Sequence, residues 1–131
     1  MDLEVTSGAI ATLLKEATLA APRECCGLLL GKGKRIARAV PAANVHAEPE
    51  RHFEIDPALL IAALRQEREG GEQVLGYYHS HPNGAGNLSG EDRACASGDG
   101  RVWAIAAAGA VTWWRDDKEG FEPLSLRLVE G

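Results

Sequence analysis

Two histidines, His79 and His81, follow an apolar, aromatic and β-branched run, and this arrangement constrains the chain more than any other feature. The run, residues 74–78, predicts a buried strand that leads directly into the histidines. Side chains alternate between the two faces of a strand, so both imidazoles should point to one side and Ser80 to the other. Pro82 and the turn-forming residues after it end the strand. Two ring nitrogens are therefore expected to meet at the carboxyl end of a strand, where α/β proteins place ligands.

A carboxylate is expected beside these histidines. Ser89 has the character of a helix N-cap, and acidic residues follow it, so a helix is predicted to begin there and to project Asp92 from its first turn. Two imidazoles and one carboxylate supply three ligands and leave a fourth tetrahedral position open, which is the pattern of a catalytic zinc site. Water in that position has a pKa of about 7, so hydroxide is available at neutral pH.

Hydrolysis by such a site also needs a proton acceptor, and Glu24 is the candidate. It stands directly before residues 25–30, a continuous apolar run that predicts a central strand buried on both faces. A carboxylate at the mouth of a buried strand is costly unless it has a function or a partner. The alternative is a buried ion pair with Arg23 or Arg93.

These residues, at these spacings, resemble the signature of the JAMM (MPN-plus) zinc metalloproteases. The resemblance implies an α/β fold, with a mixed β-sheet flanked by helices and a layering like that of cytidine deaminases. It implies one zinc ion and five site residues: His79, His81 and Asp92 as ligands, Glu24 as the general base, and Ser89 as a stabiliser of the oxyanion. From the residues alone, Ser89 could equally be no more than a helix cap.

The resemblance extends over most of the chain, since Asn44 and the segment 53–57 are also similar to the family. Members of the family cleave peptide or isopeptide bonds that follow the C-terminal glycines of ubiquitin or ubiquitin-like proteins. Little room for inserted loops exists between Asp92 and the next predicted strand at Val102. The resemblance therefore implies a compact prokaryotic hydrolase, whose partner is a ubiquitin-like or sulfur-carrier protein that ends in Gly-Gly.

Two other classes of function stay open. The first is a catalytically silent MPN-type scaffold that binds partners, although such domains typically lose the histidines or the aspartate. The second is a zinc nucleobase deaminase, because His46 and His52 each begin an H-x-E sequence. That signature also requires a P-C-x-x-C sequence, which the chain lacks.

Composition predicts an ordinary globular protein. The 131 residues are expected to form one domain, 1–131, with 45% hydrophobic and 25% charged residues. A net charge of −5 and the lack of a dense Lys/Arg stripe argue against a nucleic-acid partner. The longest apolar stretch, 102–111, is shorter than the roughly 20 residues that a membrane span needs, and no leader is evident, so we expect a cytoplasmic protein without a membrane partner.

The three cysteines fit a reducing compartment and are expected to be small buried packing residues rather than ligands or nucleophiles. Cys95 follows Asp92 by one helical turn, so it is also an outside candidate for a metal or redox contact.

The remaining elements are predicted from periodicity and turn residues. A first helix should be capped by Ser7, and a second should follow Asp56 and bury Leu60, Ile61 and Leu64. The expected strands are residues 3–5, 28–30, 36–40, 102–108, 110–115 and 124–128, with a loop at 44–51 that borders the site.

Overall fold

The structure, a computed structural model, describes residues 3–131. It contains three helices: α1 (Ser7–Ala20), α2 (Pro57–Arg68) and α3 (Gly90–Ala94). Its strands are β1 (Glu4–Thr6), β2 (Cys26–Lys32), β3 (Arg35–Ala42), β4 (Gln73–Ser80), β5 (Val102–Ala107), β6 (Ala110–Asp117), β7 (Gly120–Leu124) and β8 (Arg127–Val129).

The strands form one sheet of eight in the order β7-β6-β5-β4-β2-β3-β1-β8. Strand β4 pairs antiparallel with β2 and parallel with β5, so the sheet is mixed and the predicted fold class is confirmed. The parallel β4–β5 pair needs a crossover connection, and α3 lies within it. The histidine motif thus leaves the sheet at the carboxyl end of a central strand.

Strand β2 is buried on both faces, as its apolar run predicts. Leu28 and Leu29 are both fully buried, although adjacent side chains on a strand point in opposite directions. Leu29 belongs to the core that α1 covers through Leu13, and Leu28 belongs to the core beneath α2. The sheet is therefore sandwiched between these two helices, and Glu24 stands two residues before its central strand.

The cap of α1 differs from the prediction. Thr6, not Ser7, is the N-cap: its Oγ1 accepts a hydrogen bond from the Ala9 N–H at 3.1 Å and donates one to the Ala37 carbonyl at 2.9 Å. Thr6 is the last residue of β1 and keeps an extended backbone, with φ −76° and ψ 151°. The helix therefore begins one residue earlier than a Ser7 cap would allow.

The strand predicted at 124–128 is wrong. Leu124 ends β7, and a separate strand, β8, follows at the opposite edge of the sheet, where it pairs in parallel with β1. Pro123 lies inside β7 opposite Trp114. An edge strand tolerates a proline because one of its sides needs no hydrogen bonds, so a residue that argues against a central strand is compatible with this position.

The buried face of α2 differs from the prediction at one residue. Ile61 is 56% exposed, although its spacing placed it on the buried face of α2; Leu60 and Leu64 do pack against the core.

None of the helices within residues 3–131 is long and apolar enough to cross a membrane.

Candidate metal centre and active-site cleft

Three buried side chains converge just beyond the end of β4. His79, His81 and Asp92 offer donor atoms that all lie within 4.8 Å of one another. The His79 Nε2 is 3.0 Å from one Asp92 carboxylate oxygen, and the His81 Nε2 is 3.1 Å from the other. His79 and Asp92 are 1% and 2% exposed. The structure therefore brings together the three residues that the motif predicted as ligands.

A backbone hydrogen bond fixes the orientation of the His81 ring. Its Nδ1 lies 2.7 Å from the carbonyl oxygen of Ala85, which can only accept a hydrogen bond, so Nδ1 carries the proton. The Nε2 atom therefore faces His79 and Asp92. In the neutral imidazole, Nε2 carries a lone pair that is available to a metal ion. A backbone carbonyl on the far nitrogen is a common way to orient a metal-binding histidine.

Asp92 is presented by the start of α3. The Ser89 Oγ accepts from the Asp92 N–H at 3.0 Å, and an Asp92 carboxylate oxygen accepts from the Ser89 N–H at 2.9 Å. This reciprocal pair is a capping box, and the predicted N-cap at Ser89 is confirmed. The capping box fixes both side chains at the mouth of the same short helix.

Charge interactions within the cluster oppose the cost of burial. Burial raises the pKa of Asp92, but hydrogen bonds from His79 and His81 outweigh it and hold the pKa far below its usual range. Burial dominates at His79 and lowers its pKa, despite the neighbouring carboxylate. At His81, burial is outweighed by Asp92 and the Ala85 carbonyl, and the pKa is raised. The cluster holds one ionised carboxylate among two imidazoles, which is a suitable donor set for a divalent cation.

Glu24 lies in the same cleft. A cavity of about 360 Å³ is lined by Glu24, His81 and Ser89, together with the loop residues Glu50 and Arg51. Glu24 is 8% exposed, and burial raises the pKa of its carboxyl group to about 7, although the nearby His81 opposes the rise. No ion pair joins Glu24 to an arginine anywhere in residues 3–131, so the alternative partners Arg23 and Arg93 are not supported.

Ser80 connects the strand of the histidines to the strand of the glutamate. Its Oγ accepts from the buried Cys25 N–H at 2.8 Å, and its own N–H donates to the Cys25 carbonyl at 3.1 Å. The alternation of side chains along β4 predicts that Ser80 points away from the cluster, and its hydroxyl contacts Cys25 instead. The sequence pattern assigns no role to that hydroxyl. A small polar side chain between two buried histidines was the available signal, since a buried hydroxyl needs a partner.

Aromatic rings enclose the cluster on one side. Phe53 stacks on His79, and Trp103 meets both rings edge-on. The Phe53, Tyr77 and Trp103 side chains also line an apolar cavity of about 230 Å³ that Cys95 borders. Cys25 and Cys26 are buried, as predicted, but Cys95 is exposed, so the prediction of a buried packing residue is wrong at that position. Cys95 is also not part of the metal-binding group found among residues 3–131.

The two H-x-E histidines lie elsewhere. His46 and His52 are on the loop between β3 and α2, with ring centroids 4.8 Å apart, and neither belongs to the metal-binding group found among residues 3–131. The geometry therefore does not support the deaminase interpretation. The loop itself does border the site, as predicted, because it supplies Glu50 and Arg51 to the cleft.

Comparison with known proteins identifies the family of this chain. Residues 6–118 match the model of a family described as prokaryotic homologues of the JAB domain. A protein of Haloferax volcanii named desampylase is 36% identical over 110 residues, which cover 82% of this chain and 79% of that protein.

A second relative, from Thermus thermophilus, is named a probable TtuB-protein conjugate cleaving protease. It is 39% identical over 74 residues, which cover 56% of this chain and 47% of that protein. The solution structure of protein DSY2949 from Desulfitobacterium hafniense superposes with a TM-score of 0.84 at 28% identity, covering 98% of this chain and 94% of the other. This chain belongs to the prokaryotic homologues of the JAB domain, the JAMM (MPN-plus) family that its motif resembles.

Proposed function

We propose that this protein is a zinc-dependent hydrolase that cleaves the peptide or isopeptide bond after the C-terminal Gly-Gly of a ubiquitin-like or sulfur-carrier protein. The observation that carries the proposal is the buried His79, His81 and Asp92 cluster, of which His81 lines the cleft that also holds Glu24 and Ser89. The names of the Haloferax and Thermus relatives, a desampylase and a conjugate-cleaving protease, support the same class of substrate.

One zinc ion fits the donor set. Two imidazole nitrogens and a carboxylate are typical of catalytic zinc sites, in which water or substrate takes the fourth position. His79, His81 and Asp92 would hold the ion; when bound, it supplies Lewis-acid polarisation of the scissile carbonyl and a water of lowered pKa. His79 lies in β4, Asp92 lies in α3, and His81 is anchored by the Ala85 carbonyl, which together favour a site that exists before the ion enters.

The chain's own groups then perform the proton transfers. Glu24 accepts a proton from the attacking water and later delivers it to the leaving amine. Ser89 Oγ already accepts from the Asp92 N–H, so its own hydroxyl hydrogen remains free to donate to the oxyanion. In this proposal, Ser89 is both the helix cap and the oxyanion donor, since the two roles use different parts of one hydroxyl.

Intact-mass analysis tests the proposal. Gly-Gly-terminated ubiquitin-like proteins, each extended at the C-terminus by a short peptide, by a lysine isopeptide or by a single amino acid, are incubated with the zinc-loaded protein. Cleavage directly after Gly-Gly is expected with the wild type and not with Glu24→Gln. Zinc analysis of both proteins is the control, because the variant should retain the metal. A wild type that binds zinc and leaves every adduct intact would contradict the hydrolase and favour a partner-binding scaffold.

A further inference from the structure

Asn44 lies near the start of the loop between β3 and α2, and both the oxygen and the nitrogen of its side-chain amide make hydrogen bonds within the structure. Its Oδ1 accepts hydrogen bonds from the N–H groups of His46 and Glu54, both at 3.1 Å. Its Nδ2 carries two hydrogens and donates to the carbonyl oxygens of Glu24 and His52, both at 3.0 Å, with the Pro49 carbonyl as a longer, shared contact at 3.4 Å. The oxygen half thus folds the loop onto itself, whereas the nitrogen half also reaches the segment that carries Glu24.

The backbone of Glu24 depends on these contacts. The hydrogen-bond ladders of β2 with β3 and β4 begin at Cys26, so no sheet ladder holds Glu24. Its N–H instead donates to the Pro49 carbonyl at 2.7 Å, and its carbonyl accepts from Asn44. Both polar groups of the Glu24 main chain are therefore bound by this loop, one of them by the Asn44 side chain itself.

We infer that Asn44 is a positioning residue for Glu24 during catalysis, an inference that rests on the proposed hydrolase. A general base must lie within hydrogen-bond reach of the proton it takes, and a misplacement of about 1 Å can cost on the order of 100-fold in rate. The buried Glu24 side chain has no ion-pair partner among the described residues. The direction of the side chain into the cleft thus depends on the Glu24 main chain, whose N–H is bound by the Pro49 carbonyl and whose carbonyl is bound by Asn44.

The two halves of the amide allow this role to be separated from loop folding. Asn44→Asp keeps an oxygen for the N–H groups of His46 and Glu54, but it replaces the Nδ2 donor with an acceptor that faces the Glu24 carbonyl. Gln73→Glu is the matched control. Gln73 Oε1 also accepts from a backbone N–H, that of Gly33 at 2.7 Å, and it lies at the start of β4, away from the cleft.

Steady-state cleavage of a Gly-Gly adduct provides the first readout. Asn44→Asp should lower kcat by about 10- to 100-fold, with KM changed by less than threefold and with wild-type zinc content. Gln73→Glu should match the wild type. A kcat within threefold of wild type, a change confined to KM, or a parallel loss of zinc would each overturn the inference.

Amide hydrogen exchange, measured by NMR on the zinc-loaded protein without substrate, provides the second readout. In Asn44→Asp the Glu24 amide should exchange about tenfold faster, while the amides of His46 and Glu54 stay within threefold of the wild type. Equal acceleration at all three sites would mean that the loop unfolds and would overturn the inference. If Asn44→Asp fails to fold, Asn44→Ala removes the donor without adding charge, although it also removes the acceptor of the His46 and Glu54 N–H groups. Retention of wild-type kcat by Asn44→Ala would overturn the inference as well.

The two readouts also separate this inference from the proposed function. A wild type that cleaves no adduct contradicts the hydrolase, whereas the exchange rate of the Glu24 amide still decides whether Asn44 fixes that backbone.

Discussion

The rings of Phe53 and His79 are stacked, with centroids 4.2 Å apart and planes inclined by 15°. Phe53 lies on the loop before α2, and His79 lies in β4, so two separate elements meet at one proposed ligand. Trp103 closes the same side, with its ring 5.9 Å from that of His79. These contacts limit the rotation of the His79 ring, which among residues 3–131 has no hydrogen-bonded backbone carbonyl of the kind that fixes His81.

Phe53→Leu should therefore weaken metal binding while leaving the fold intact. Leucine keeps most of the apolar volume but removes the flat face against His79, so the ring loses its orientation. Loss of an outer hydrogen-bond partner typically costs about 10- to 100-fold in metal affinity, and loss of this stacking contact should cost no more than that. Competition for zinc against a chromophoric chelator measures the change. Phe121→Leu is the control, because Phe121 packs on Trp103 and not on His79; an equal loss in both variants would contradict an orienting role.

Ser80→Ala should destabilise the protein by about 1–3 kcal/mol, since it leaves the buried Cys25 N–H without a partner. Urea denaturation of the metal-free protein measures the free energy of unfolding without a contribution from zinc. Ser7→Ala replaces an exposed hydroxyl and should change that free energy by less than about 0.5 kcal/mol. Equal effects of the two substitutions would show that the Ser80 hydroxyl contributes nothing specific.

The parts of the site that sequence predicts well are those set by local geometry. Alternation along one strand is enough to bring His79 and His81 together, and a cap followed by acidic residues is enough to start α3 at Ser89. Each of these depends on neighbours only a few residues apart. The apolar run after Glu24 likewise predicts a central strand without knowledge of its partners.

The contacts that organise the site over longer distances could not be predicted in this way. Ser80 meets Cys25 across 55 positions of sequence, and Asn44 meets Glu24 across 20. Hydrogen-bond partners of this kind depend on strand order and register, which periodicity does not encode. The same reason explains the misassigned strand after Pro123, because only strand order shows that this proline lies at an edge.

The buried carboxyl group of Glu24 should make the metal-free protein less stable as the pH rises. Its pKa is near 4.5 when unperturbed and about 7 in the folded protein, because burial disfavours the charged form. The unfolded chain therefore ionises first, and the cost to the folded state grows from about pH 4.5 to about pH 7 and is constant above that.

Glu24→Gln should remove this cost. Below about pH 4 the free energies of unfolding of the variant and the wild type should agree, whereas above pH 7 the variant should be more stable by up to about 3 kcal/mol. Urea titrations of chelator-treated protein across this pH range measure the difference. Glu50→Gln is the control, because it neutralises an exposed carboxylate on the same cleft and therefore relieves no burial. A Glu24→Gln difference that stays constant from pH 4 to pH 8 would contradict a raised pKa.

Asp116 is fully buried but does not belong to the metal-binding group of His79, His81 and Asp92. Its two carboxylate oxygens accept hydrogen bonds from the N–H groups of Ser97 at 2.8 Å and Gly98 at 3.0 Å, and thereby hold the connection from α3 to β5. Asp116→Asn should cost about 1–3 kcal/mol, since an amide NH2 would face a partly buried backbone donor that a side-chain oxygen now satisfies.

Zinc content should not change in Asp116→Asn, because no proposed ligand contacts Asp116. Thermal and urea unfolding, together with metal analysis, separate the two effects. Asp117→Asn is the matched control at the next position, where the carboxylate is exposed and accepts from the adjacent Lys118 N–H. A loss of zinc in Asp116→Asn at wild-type stability would instead show that the α3–β5 connection positions Asp92, since α3 carries that residue.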